Sequence, residues 1–229
     1  MKDSTIQTSS IAFLKSLAIN NNREWFTEHK DSYVLAQTNI IAFIDQLILL
    51  MNTHDAIENV SGKKSLYRIY NDVRFSKDKS PYKPRFAFSL QRSTKLKRGG
   101  YYMNIEPGNT FLACGFFSPN PDDLKRIRKD IELNPKDWRK ILNAKPIKEN
   151  FGELLGNKVP TFPKGFPKDH EAIDLIRHKQ FILKHNFSDE EVLDSEFVLK
   201  VNEIFKTVRP FFDYMSSVLT TNLNGESII

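Results

Sequence analysis

The chain opens with apolar positions at helical spacing. Ile11, Leu14, Leu17 and Ala18 share one face and predict a helix beginning at Ser9 or Ser10. Asn20-Asn21-Asn22 stops it, because asparagine side chains compete locally for backbone hydrogen bonds. Asn22 then caps a second helix, with Glu24 in its first turn. That helix is predicted over 23–52, with Phe26, His29, Tyr33, Ile40, Ile41, Ile44, Leu47, Ile48 and Met51 as its apolar stripe. From Lys63 the helical period disappears. Tyr67 to Tyr70 reads as a short strand or tight turn, and 74–84 as a polar loop punctuated by Pro81 and Pro84. Phe86, Phe88 and Leu90 alternate with Ala87, Ser89 and Gln91, the period of a strand. Two further strands follow, over 101–106 and 110–117, each reached through a glycine-bearing turn. Helices are predicted over 122–133, 135–143, 170–177 and 194–219, a loop-rich stretch over 144–168, and a strand over 180–187. Ser188 and Glu191 form a capping box, and Pro210 kinks or restarts the last helix.

Helices at both ends around a central run of strands joined by short turns indicate an α+β fold, a central antiparallel meander packed by N-terminal and C-terminal helices. No repeat or long linker divides the sequence, so one domain over 1–229 is expected. The 229 residues are 40% hydrophobic and include 18 Phe, enough apolar material for a substantial core. Cys114 is the single cysteine, which excludes an internal disulfide and any cysteine-held metal cluster. Five histidines are present without metal-ligand spacing, and the glycine-rich nucleotide loops and the Gly-x-Ser-x-Gly elbow are absent, so no metal and no cofactor is expected. Lys15 interrupts the first apolar stretch, and Asp45 and Gln46 interrupt the longest one. These features predict no secretion signal and no membrane span, hence a cytoplasmic protein.

Charge changes this picture most. The net charge is +6, but the window from Lys63 to Arg98 holds twelve Lys or Arg against two acids. That window alone carries +10 and leaves −4 for the remainder. The segment 66–83 interleaves cations with aromatic and hydroxyl side chains. Arg68, Arg74, Lys79 and Lys83 are candidate ligands for an anion, since guanidinium presents a planar fork of donors to phosphate or carboxylate. Tyr82, Ser76 and Ser80 can add donors. Asp72 and Asp78 are the acids that lie among them, and they either pin the loop by pairing with Arg68 or Arg74 or act chemically.

The segment from Tyr67 to Lys83 resembles the signature of the family catalogued as domain of unknown function 2461. So do Phe13-Leu14 and the run from Asn21 to Phe26 with His29, Lys30 and Tyr33, and so does Pro163-Lys164-Gly165-Phe166 with Asp169, His170 and Lys179. The resemblance extends over about residues 9–220, and Asn71 stands where it implies a basic residue. It implies no activity. Two readings therefore come from the residues themselves. In the first, the basic segment binds an anionic small molecule or a nucleic acid. In the second, the protein is an enzyme acting on a phosphorylated or acidic small molecule, with Asp72 or Asp78 as acid or base and Arg68 and Arg74 as the charge clamp.

Overall fold

The computed structural model describes residues 4–74, 77–222 and 226–228. Its four strands, β1 (Phe86–Gln91), β2 (Gly100–Ile105), β3 (Thr110–Phe116) and β4 (Phe181–Phe187), form one antiparallel sheet in the order β1-β2-β3-β4. Helices precede and follow the meander, so the fold is α+β as the sequence pattern indicates. The chain divides into two compact units. Met1–Leu90, Tyr102–Leu112 and Asn186–Glu203 make the first, and Gln91–Tyr101, Ala113–His185 and Ile204–Ile229 the second.

In the first unit, helix α1 (Thr8–Ile19) buries Ile11, Phe13, Leu14 and Leu17, the face that the spacing predicts. The single long helix expected over 23–52 is instead two. α2 (Arg23–Glu28) begins on an Asn22 cap that accepts from the Trp25 N–H, and α3 (Lys30–Met51) starts after a break at His29. The break lies in the His29 backbone, at φ −104° and ψ 22°. Its N–H keeps the helical bond to the Trp25 carbonyl at 3.0 Å, and its Nδ1 donates to the same carbonyl at 2.8 Å. α3 is long and apolar enough, by length and composition, to cross a membrane. Here it is the core helix of the unit, with Ile40, Phe43, Ile44 and Leu47 fully buried. Asn39, also buried, accepts from the Ser10 hydroxyl at 2.9 Å and the Gln7 N–H at 3.0 Å and donates to the Thr5 carbonyl, which fixes the start of α1 on α3. The short helix α4 (Gly62–Ser65) hangs on Asp45, which accepts the Gly62 N–H at 2.6 Å.

In the second unit, α5 (Pro121–Leu133) and α6 (Pro135–Leu142) both begin with proline at the first turn, where the missing N–H is no loss. The stretch expected to be loop-rich contains a further helix, α7 (Lys145–Phe151), opened by Pro146 in the same way. α8 is a single turn, Ile173–Ile176, shorter than the pattern predicts. The last long helix is divided at Val208 into α10 (Phe197–Thr207) and α11 (Arg209–Thr220); most of α10 belongs to the first unit, as does the brief α9 (Asp189–Leu193) with its Ser188–Glu191 capping box. Pro210 restarts the helix, since a proline ring excludes the hydrogen bond that continuity needs. One carboxylate ties three of these helices together. Asp130 on α5 accepts from the Trp138 indole and the Tyr214 hydroxyl, each at 2.7 Å, and from Asn134 at 2.8 Å. Burial and that carboxylate push the Tyr214 phenol far above its ordinary range.

Candidate functional site

The basic segment follows β1 backwards before it enters the sheet. Leu66 pairs with Phe88, and Tyr70 pairs with Tyr82, both antiparallel, so 66–70 lies along 82–88 as a two-stranded ribbon in the first unit. Isolated bridges stand where a short strand or turn is expected over 67–70. The ribbon is locked at its far end by asparagines. Asn71 donates to the carbonyls of Ser80 at 2.9 Å and Tyr82 at 3.1 Å, and Asn21 exchanges two bonds with the Tyr82 backbone. At position 71 the side-chain amide therefore closes the loop.

The structure separates the predicted site residues into two groups. Asp72 takes the Arg74 guanidinium bidentately, at 2.9 and 2.6 Å, in a pair whose side chains remain 43% and 76% exposed. That bond holds the Asp72 carboxyl below its ordinary range. Asp78 caps its own turn by accepting the Ser80 N–H at 2.8 Å, which likewise lowers its pKa. Lys79 donates to the Val73 carbonyl at 2.9 Å. Phe75 and Ser76 lie outside the described residues. Tyr82 is a core residue, 6% exposed, and its ring stacks on Phe26 at 3.9 Å and 13°. Arg74, Asp72, Asp78 and Lys79 thus shape the loop, and Tyr82 anchors it.

Arg68 and Lys83 form the second group. Each is in electrostatic contact with the other across the ribbon, and Lys83 also with Arg85. Partial burial first, then Arg85 and Arg68, push the Lys83 ammonium below its ordinary pKa. Arg85 gives one guanidinium donor to Asn104 at 3.1 Å, an amide that is itself fully buried and donates to Glu106 and to the Asn109 carbonyl. Asp72 lies within reach of Arg68, but both of its oxygens are engaged by Arg74. Neither Arg68, Lys83 nor Arg85 makes an ion pair among the described residues.

Beside these cations runs a row of rings. Tyr67, which bonds the Ser89 hydroxyl at 2.8 Å, faces Tyr102 of β2 at 6.4 Å, and Tyr102 faces Phe111 of β3 at 5.9 Å. Tyr67 is half exposed, and Arg85 is close enough to Tyr102 to act on its phenol. Arg85, Tyr102 and Phe111 escape a reading based on charge runs alone. Strand alternation was the available signal, since Arg85 falls in register with Ala87 and Ser89, opposite Phe86, Phe88 and Leu90. His170 accepts the Ala172 N–H on Nδ1 and donates from Nε2 to the Glu132 carbonyl, which uses both ring nitrogens.

No curated protein and no solved structure matches the chain. A family model described as "Conserved hypothetical protein (DUF2461)" matches residues 9–214, a span that takes in the ribbon, its Asn21 and Phe26 supports and the row of rings. The chain belongs to the DUF2461 family.

Proposed function

We propose that the protein binds a phosphate-bearing ligand with flat rings, a nucleotide or a short single-stranded nucleic acid, on Arg68, Lys83 and Arg85 and the adjoining Tyr67, Tyr102 and Phe111. The observation that carries this reading is the cluster of three cations on one ribbon that form no ion pair among the described residues. Like charges held together disfavour one another, and an anion that enters relieves that repulsion. The row of rings supplies the second half of the chemistry, because every base has a face that stacks on an aromatic side chain. Cytoplasm is the compartment this reading assumes. The enzymatic alternative, with Asp72 or Asp78 as acid or base, has less support, since both carboxylates are engaged in local bonds that keep them ionised.

The test is fluorescence anisotropy of a labelled oligothymidylate, with a mononucleotide as competitor, on wild type and the Arg68→Ala/Lys83→Ala double variant. Three phosphate contacts on a single strand give a slope of log affinity against log salt of about −2. The double variant is expected to keep its melting temperature while the slope shrinks to about −0.7, the share of the remaining Arg85. Competition by the mononucleotide at equal base concentration identifies a nucleotide site, and its failure to compete identifies a strand. Affinity falls as pH rises towards the Lys83 pKa, because the anion favours the ammonium form. Equal affinity of both proteins for every probe overturns the reading.

A further inference from the structure

The tract Pro163-Lys164-Gly165-Phe166 plays no part in the ribbon site. It forms a tight turn, closed by the Phe166 N–H on the Pro163 carbonyl, with Gly165 at φ +89°. Only glycine holds that conformation without strain, and a Cβ there would meet nothing within 4 Å. The glycine therefore serves the turn, and the space beside it stays open. That space is a cavity of about 550 Å³ between the turn and α5, within the second unit.

Lys125, Arg128, Lys129 and Glu132 line the cavity from α5. Their spacing of three, four and seven residues puts them on one helical face. Lys164 and Phe166 line it from the turn. Among the described residues, Lys129 alone of the four cations has an ion-pair partner, Glu132 at 2.6 Å. Arg128 is half-buried, and two of its donors go to neutral acceptors, the carbonyls of Ile176 at 2.9 Å and His178 at 3.1 Å. Burial disfavours its charge, and among the described residues no acid compensates it. Lys125 and Lys164 approach from opposite walls without a hydrogen-bond or ion-pair partner among the described residues. His170 holds the wall in place by donating to the Glu132 carbonyl at the end of α5.

The geometry points to a second, independent binding site here, for a small molecule that carries a diphosphate or two phosphate groups. Lys125, Arg128 and Lys164 bring three uncompensated positive charges to one cavity, more than a single phosphate needs. The volume leaves room for an organic remainder against Phe166 and Pro121.

Calorimetric titration tests this with pyrophosphate, ADP and inorganic phosphate as probes. The protein is the full chain carrying Arg68→Ala/Lys83→Ala, so that the ribbon cannot contribute. Pyrophosphate and ADP are expected to bind at one site per chain and more tightly than inorganic phosphate. Adding Lys125→Ala/Lys164→Ala is expected to weaken both at least about tenfold, since a charge-assisted hydrogen bond accounts for that much. The charge-preserving Lys125→Arg/Lys164→Arg variant is expected to keep most of the affinity, and an unchanged melting temperature of the alanine variant separates lost binding from lost folding. Unchanged affinity in the alanine variant, or no binding of pyrophosphate or ADP before it is made, overturns the proposal and leaves the ribbon reading untouched.

Discussion

His178 offers the sharpest thermodynamic prediction. It is 1% exposed, its Nδ1 donates to the Gln180 carbonyl at 3.0 Å, and its ring lies 5.7 Å from that of Phe181. Lys158 pairs with it across an isolated bridge and adds its charge, Asp174 opposes that charge, and Arg128 takes the His178 carbonyl. Burial dominates, followed by Lys158, and the imidazole is driven from its ordinary 6.5 to about 4. The folded state thus refuses a proton that the unfolded chain accepts. Stability is complete above the unfolded pKa and is lost as pH falls from there towards the folded one. At about 1.4 kcal/mol per pKa unit the whole gap corresponds to about 3 kcal/mol, of which about 2 kcal/mol is lost between neutrality and about pH 4.5. Urea unfolding of wild type and His178→Gln at both pH values isolates this group from the other histidines and the carboxylates. Wild type is expected to lose about 2 kcal/mol more than the variant. Equal losses, or an NMR titration of His178 with its midpoint near 6.5, would refute the assignment of a buried neutral imidazole.

Two further predictions concern β3 and the turn before it. Gly115 in β3 has φ +142°, and a Cβ there would sit 2.0 Å from the Phe181 carbonyl oxygen of β4. Gly115→Ala should cost more than about 3 kcal/mol in urea unfolding, whereas Gly108→Ala, at φ +72° with nothing within 4 Å, should cost about 1 kcal/mol. Cys114 is fully buried and its thiol is pushed well above its ordinary pKa. It should react with a thiol reagent only at the rate of global unfolding, and fast labelling of the folded protein would contradict that burial.

The elements most legible in the sequence are those in which one local cause decides. Alternation around Phe86, Phe88 and Leu90 gives β1 its register, and the 3.6-residue period of Ile11, Leu14 and Leu17 gives α1 its buried face. The misread elements have two competing causes. Over 23–52 the apolar stripe is continuous, yet the His29 backbone leaves the helical conformation and divides the helix. The stretch 144–168 reads as loop from its prolines and glycines, but Pro146 stands at a first turn and opens α7.

The same logic explains why charge density alone marks the segment, but only part of the residues, on which the proposed ribbon site is built. Arg74 and Lys79 are conspicuous in the loop, and each is engaged there, one by Asp72 and one by the Val73 carbonyl. An acid two residues from an arginine is a local partner that folding reaches first. Uncompensated charge survives where cations meet across elements with other cations. Arg68 meets Lys83 across the ribbon, and Lys164 meets Lys125 across a cavity. Such meetings depend on strand pairing and on a glycine turn, and neither is visible in a count of lysines and arginines. Folding that leaves cations side by side retains an electrostatic cost that a bound anion removes. A binding site of this kind is therefore identified by the absence of a counter-charge at a place the fold has built, and basic composition only narrows the search.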